Sequence, residues 1–273
     1  MTQLWCNGQW LDSLDFPGTT KDRGSLHGLG LFETMLALDC KPVFVSQHLS
    51  RLRNALDRLG WEIALPDFRS VATELLQRNQ LSSGRARIRL TISAGSGPLN
   101  DLSLGEDHLV WMTAFPITNQ HESRSICLSP WPRNERSPLA GLKCASYAEN
   151  LIALDHARRR GCDETIFLNT AGQLCEAALA NLFLVKNQVL QTPPLVSGCL
   201  PGVTRQVILE LANRHKLACE ERILHWADLL SADEIFLTSN THGPIGVTRC
   251  DEKNFPSGPW TSKIQSMWNA AVE

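Results

Sequence analysis

The side chain in this sequence most able to do covalent chemistry is Lys143, within residues 141–150, GLKCASYAEN. Its neighbours are glycine, leucine, cysteine, alanine and serine, so no acid close by in sequence pairs with the ammonium. Burial of such a lysine disfavours the charged form, lowers its pKa and makes the amine a nucleophile toward an aldehyde. A surface lysine at a helix start has the same local sequence, and the rest of the chain must decide between the two. A second group is Glu176 in GQLCEAALANLFLV, an acid among Ala177, Ala178 and Ala180. Acids in such company are capping residues or partners of buried cations, because an unpaired buried charge is too costly.

Two stretches suit an anion. In LPGVTRQV a Pro-Gly turn precedes a helix, so the amides of Val203 and Thr204 and the Thr204 hydroxyl point at whatever sits at the helix N-terminus. In FLTSNTHGPIG a strand ends in Ser239, Asn240 and Thr241, and Gly243 permits close approach. Lying in the same half of the chain, both point to one shared anion.

Basic residues form two further patterns. Residues 85–92 alternate, with Arg85, Arg87 and Arg89 on one face and Ala86, Ile88, Leu90 and Ile92 on the other, a half-buried strand with a basic face. Such a row repels itself unless carboxylates or an anionic substrate meet it. Leu49, Leu52, Leu56 and Leu59 make one face of a helix that Ser46 can cap and Gly60 stops. His48, Arg51 and Arg58 fall off that stripe, as on a solvated face; Arg51 acquires a role only where the helix borders an anion site.

The elements that must position these groups alternate between strand and helix. Asn7-Gly8 within residues 4–11 predicts a tight hairpin. Gly24, Gly28 and Gly30 let the backbone turn sharply and approach another surface before a strand that runs to Leu38. A helix follows Pro66, carrying Phe68, Val71, Leu75 and Leu76 inward, and a strand spans residues 108–115. Residues 116–122 are polar and aperiodic, the expected linker between a domain of residues 1–118 and one of residues 119–273. The second half is expected to hold strands at 125–129, 164–168, 181–185 and 234–238, helices at 147–160 and 203–215, and hairpins about residues 169–172 and 187–188.

Composition limits the partners. With 273 residues, 43% of them hydrophobic, the chain can bury one large or two medium cores. A net charge of −2 and 20% charged residues give no sign of a nucleic-acid or anionic-membrane surface, and a small molecule is the expected partner. Nine cysteines lack a paired framework or metal-ligand spacing, so a reducing compartment and no metal are expected. With neither a basic-then-apolar leader nor an apolar run of about 18 residues, the expectation is a soluble, cytoplasmic protein.

Taken in order, DRGSLHGLGLFET, HLSRL, LAGLKCASY, EAALANLF, LPGVTR and FLTSNT resemble the class IV pyridoxal-phosphate enzymes: branched-chain aminotransferases, D-amino acid aminotransferases and aminodeoxychorismate lyases. The resemblance covers about residues 5 to 250. It implies a two-domain α/β fold of type IV, with a smaller N-terminal domain, a larger C-terminal domain carrying the lysine, pyridoxal 5′-phosphate as cofactor, and a homodimer. By the same resemblance Lys143 is the Schiff-base lysine and Glu176 the acid that keeps the pyridine nitrogen protonated. Arg51 is similar to the family's phosphate-binding arginine, and Val203, Thr204 and Thr241 match the other phosphate ligands. Tyr147 falls near a tyrosine that some members place against the cofactor's phenolic oxygen, with a spacing from the lysine that differs by one.

Two reactions branch from this chemistry. Transamination is one; the other is loss of pyruvate from aminodeoxychorismate, leaving the folate precursor 4-aminobenzoate. The LAGLK approach, the short ISAGSGP turn and the total length resemble the lyase branch. Two positions depart from it: Ser93-Ala94-Gly95 stands where many lyases have Ser-Arg-Gly, and Leu29 where an aspartate is common. Arg87 or Arg89 would then grip a substrate carboxylate, and His242, next to Thr241, would face the substrate. A non-catalytic cofactor-binding protein is the reading from another class; the presence of both Lys143 and Glu176 argues against it.

Overall fold

Asn7 and Gly8 take φ of 44° and 88°, and the turn they make joins β1 (Gln3–Cys6) to β2 (Gln9–Asp12), as that dipeptide favours. The computed structural model to which this hairpin belongs describes residues 2–118, 123–256 and 258–272. The chain divides into two compact units: Met1–Asn119 with Leu142–Tyr147, and Gln120–Gly141 with Ala148–Glu273. Residues 119–122 of the expected linker lie outside the described residues.

Unit 1 continues with α1 (Arg23–His27), a helix too short to show a period in sequence, and ends it at Gly28 with φ of 67°. Then come β3 (Gly30–Leu38), β4 (Lys41–Pro42), α2 (Val45–Leu59), α3 (Phe68–Arg78), β5 (Arg85–Ser93) and β6 (Leu109–Pro116). The strands form one sheet in the order β2-β1-β6-β5-β3-β4. Ala86, Ile88, Leu90 and Ile92 point into a core shared with Leu52, Leu56, Phe68, Leu75 and Leu76, so the alternation expected of β5 is present.

Helix α2 corrects two expectations. It begins at Val45, with Phe44 in the left-handed region at its N-cap, while the Ser46 hydroxyl bonds Gln47. His48 is not on a solvated face but fully buried, and Arg51 is only 11% exposed. Both turn toward Glu33 on β3; a buried polar cluster has the same sequence pattern as a wet face.

The expected division also needs correction at Lys143. Strand β4 covers β3 only at Ala37 and Leu38, which leaves the edge at Gly30–Phe32 open, and residues 143–145 take it. The Phe32 amide donates to the Lys143 carbonyl at 2.9 Å, the Ala145 amide to the Gly30 carbonyl at 2.8 Å, and Leu31 bridges Cys144. Backbone pairing therefore places the lysine segment with unit 1, although residues on both sides of it belong to unit 2.

Unit 2 is built from β7 (Ser123–Leu128), α4 (Ala148–Arg159), β8 (Glu164–Leu168), β9 (Leu174–Ala177), β10 (Asn181–Lys186), β11 (Val189–Thr192), α5 (Val203–Arg214), β12 (Cys219–Glu221), α6 (Trp226–Ser231), β13 (Glu234–Ser239), β14 (Gly243–Cys250), β15 (Lys253–Asn254) and α7 (Pro259–Val272). Its mixed sheet runs β12-β11-β10-β13-β14-β7-β8-β9, with β15 on β14. The hairpin about Asn187 and Gln188 forms with φ of 49° and 64°. Among the described residues no helix is long and apolar enough to cross a membrane.

Helix α7, which the sequence reading missed, is fixed by an acid from another element. Buried Glu234, on β13, accepts from the amides of Trp260 at 3.0 Å and Thr261 at 2.8 Å and from the Thr261 hydroxyl at 2.9 Å. Three donors on one carboxylate at a helix N-terminus complement the exposed amides and the dipole. Replacing Glu234 with alanine leaves those donors buried and should cost about 2–4 kcal/mol, measured as a lower urea midpoint at unchanged slope.

Candidate functional site

In unit 1 the glycine-rich turn packs against the lysine segment at Gly28 and Gly30. A Cβ on Gly28 would lie 2.5 Å from the Ser146 hydroxyl oxygen, and one on Gly30 would meet the Ile92 carbonyl at 2.6 Å and the Ala145 Cβ at 3.4 Å. The close approach expected of those glycines is thus an approach to residues 145 and 146. The Lys143 ammonium lies 4.4 Å from the centre of the Phe32 ring and 5.6 Å from that of Tyr147. The two rings meet edge to face at 5.3 Å, which sets Lys143 against aromatic surface rather than in open water.

Arg89 shares Phe32, its guanidinium carbon 3.9 Å from the ring centre and its Nε donating to the Thr91 hydroxyl at 3.2 Å. Burial first, then neighbouring Arg87, hold Arg89 below the usual arginine range, and the Tyr147 phenol opposes them. Arg87 lies 5.8 Å from the Phe115 ring centre. Among the described residues, neither Arg87 nor Arg89 forms an ion pair with a carboxylate, so protein acids do not meet this part of the basic face.

Position 94, where an arginine is common in lyases, holds a fully buried alanine. The loop after it is organised by Arg23, buried and donating to the carbonyls of Ala94, Gly95, Asp101 and Ser103. Also in unit 1, Arg51 is held by Glu33.

In unit 2 Glu176 is 8% exposed, and its Oε2 accepts from the Leu200 amide at 2.9 Å and Asn181 Nδ2 at 3.4 Å. The cation beside it in this unit is Arg133, which the sequence reading missed: its Nη1 lies 4.0 Å from Glu176 Oε1 and 3.5 Å from Glu149 Oε2, with the guanidinium over the Phe167 ring. Arg133 sits in an aperiodic stretch and its acids are distant in sequence, so no local signal could have found it.

Helix α5 starts at Val203 as expected, with Gly202 as an N-cap that brings no side chain to its first amides. Only glycine fits there, since a Cβ would lie 1.9 Å from Asn181 Oδ1. Thr204 is 3% exposed, and among the described residues its hydroxyl has no hydrogen-bond partner. A buried hydroxyl beside uncapped helical amides is the arrangement an anion would complete. Thr241 and His242 are half-buried in the turn from β13 to β14. Cys144 and Cys175, adjoining Lys143 and Glu176, are buried in apolar clusters as fillers.

The turn after Glu176 hangs on Glu164, which accepts from the amides of Ala178 and Leu179, both at 3.1 Å. Burial pushes this carboxyl from 4.5 up to about 7, against the pull of the amides of Thr165, Leu179 and Ala178. The folded chain therefore keeps a proton that the unfolded chain has already released between those two values. This group's contribution falls as pH rises from about 4.5 to about 7, by up to about 3 kcal/mol. Glu164→Gln should flatten that slope in denaturation curves recorded across the window.

A family model described as amino-transferase class IV matches residues 30–250. The chain belongs to this family. Class IV amino-transferase relatives include the aminodeoxychorismate lyase of Bacillus subtilis (strain 168), 29% identical over 280 residues that span 99% of this chain and 94% of that protein. The D-alanine aminotransferase of Bacillus licheniformis is 25% identical over 267 residues, covering 95% and 93% of the two chains. The crystal structure of the Escherichia coli branched-chain amino acid aminotransferase superposes with a TM-score of 0.90 at 25% identity, covering 99% of this chain and 94% of that one. This class IV chain is an enzyme, its mixed α/β fold is that of the type IV aminotransferases, and its cofactor is pyridoxal 5′-phosphate. Its residues fit that group: the unpartnered Thr204 hydroxyl at an uncapped helix suits a phosphate, and buried Glu176 suits a ring N–H.

Proposed function

We propose that this class IV enzyme is a 4-amino-4-deoxychorismate lyase, converting its substrate to 4-aminobenzoate and pyruvate. The observation that carries the reading is the pair Arg87 and Arg89, which face aromatic rings and no protein carboxylate among the described residues. The substrate bears two carboxylates, and two such arginines match that charge. Likeness to the Bacillus subtilis lyase along 99% of the chain supports it.

In this reading Arg51, the amides of Val203 and Thr204, the Thr204 hydroxyl and Thr241 hold the phosphate. Tyr147 stands by the phenolic oxygen, Glu176 accepts from the ring nitrogen, and His242 borders the substrate. Lys143 would hold the cofactor's aldehyde, and the bound group would supply an electron sink for the carbon that bears the substrate's nitrogen. Lys143, once displaced, takes the proton from that carbon through Nζ. Breaking the bond from the adjacent carbon to the enolpyruvyl oxygen then aromatises the substrate ring, and the released enolpyruvate takes up a proton to become pyruvate. Arg89→Leu should raise KM about 10- to 100-fold with a smaller change in kcat, because it removes a charge-assisted grip present before and during the reaction.

The nine free thiols fit a cytoplasmic setting. Exposed Leu151, Ile152, Leu195 and Val196 in unit 2 fit a homodimer, to be checked by light scattering for twice the mass of the 30.3 kDa chain.

A second reading, an aminotransferase for D- or branched-chain amino acids, is favoured by the likeness to the Bacillus licheniformis enzyme, and a dicarboxylic oxo acid would satisfy the same arginines. The deciding experiment supplies 4-amino-4-deoxychorismate to the cofactor-loaded protein without any oxo acid and follows 4-aminobenzoate fluorescence. Repeated turnover is expected of the lyase. Absence of product, with transfer from amino acids to an oxo acid, would replace that reading with the second.

A further inference from the structure

Glu33 lies within the nine-residue strand β3, with its side chain 1% exposed. An ionised carboxylate there is tolerable only if both oxygens are satisfied, and they are. Oε1 accepts from Arg51 Nε at 2.8 Å, while Oε2 accepts from Arg51 Nη2 at 2.6 Å and from His48 Nδ1 at 2.7 Å. Burial drives the Glu33 carboxyl upward, but the charge and bonds of Arg51, with those of His48, outweigh it and hold it at about 2.

His48 is wholly buried, and among the described residues its Nε2 has no partner. A carboxylate oxygen only accepts, so Nδ1 carries a proton toward Glu33 Oε2. The 3.5 Å approach of Arg51 Nη2 to His48 Nδ1 is then two donors converging on one oxygen, not a bond between them.

The Glu33 carboxylate occupies the side-on fork of the guanidinium, Nε and Nη2, in the bidentate geometry that fixes its plane. His48, three residues before Arg51 on the same helix face, in turn fixes the carboxylate. We propose that Glu33 and His48 are positioning residues that set the direction in which Arg51 presents its guanidinium to the cofactor's phosphate; this rests on the reading of Arg51 as a phosphate ligand. The pair adds no net attraction for an anion, since Glu33 cancels the charge of Arg51. Its contribution is pre-alignment of a long side chain whose ordering would otherwise oppose binding.

The measurement is the ratio of the dissociation constants of pyridoxal and pyridoxal 5′-phosphate, titrated into enzyme freed of cofactor and followed by tryptophan fluorescence. Glu33→Gln should lower that ratio about tenfold and His48→Leu a few-fold, with pyridoxal affinity unchanged. His48→Asn, whose amide nitrogen takes the place of Nδ1, should restore the ratio. A wild-type ratio in folded Glu33→Gln, or equal loss of both affinities, overturns the proposal. Should Glu33→Gln not accumulate folded, the contrast between His48→Leu and His48→Asn decides by the same criterion. Arg51→Gln separates the underlying reading: if it keeps the wild-type ratio, Arg51 does not hold the phosphate and the proposal falls with it. If it loses the ratio while the Glu33 and His48 variants keep it, only the positioning pair is refuted.

Discussion

Lys143→Ala protein should fold, bind pyridoxal 5′-phosphate without the visible absorption that the covalent link to lysine produces, and turn over at least about a thousandfold more slowly. Folding should survive because the segment is held by main-chain bonds, Phe32 N–H to the Lys143 carbonyl and Ala145 N–H to the Gly30 carbonyl, which alanine keeps. Turnover should not, because in the proposed reaction the amine that holds the aldehyde is also the base that takes the substrate proton, and in unit 1 it is carried against the rings of Phe32 and Tyr147. A small primary amine added to the solution should restore part of the rate, as it replaces the missing base but not the tether. Absorbance and single-turnover measurements on the variant are sufficient. Retention of either the band or the rate would remove Lys143 from its assigned role.

Glu176→Gln should separate turnover from binding. The amide has the shape of the carboxylate and can still accept from the Leu200 N–H that holds Oε2 at 2.9 Å, so cofactor affinity should fall by no more than about tenfold. The negative charge is lost, and with it the proposed stabilisation of a protonated ring nitrogen on which the electron sink would depend; kcat should fall about a hundredfold. Arg133 keeps Glu149 at 3.5 Å, so the variant does not leave a buried cation wholly uncompensated. Full activity in Glu176→Gln would show that the charge is not used.

Lys143, Glu176, Val203 and Thr204 stand out in the sequence as candidates because each sits in a short stretch whose neighbours restrict what it can do: small residues around a cation, alanines around an acid, a Pro-Gly turn before a helix. The strands and helices that carry them were legible from period, as β5 and α5 illustrate. What escaped depends on contacts between distant residues. His48 has the sequence pattern of a solvated position because helical period distinguishes apolar from polar and not wet from dry; only Glu33, fifteen residues earlier, makes it internal. Arg133 has no local signature, since Glu149 and Glu176 come from elements that follow it. The unit to which Lys143 belongs was hidden for a similar reason, as hydropathy marks a joint in the chain but not an unfilled sheet edge.

That edge gives the protein an order of assembly. Unit 1 is not a continuous length of polypeptide: the part that completes it, Leu142–Tyr147, leaves the ribosome only after more than twenty residues of unit 2. Domains tend to fold as they emerge, so the first sheet must wait with the edge at Gly30–Phe32 uncovered, and an open edge invites pairing with another chain. The segment that closes it also carries Lys143, the proposed nucleophile. A nascent chain therefore cannot have the reactive amine in place before its first sheet is sealed, and a fragment ending at residue 118 would lack both at once.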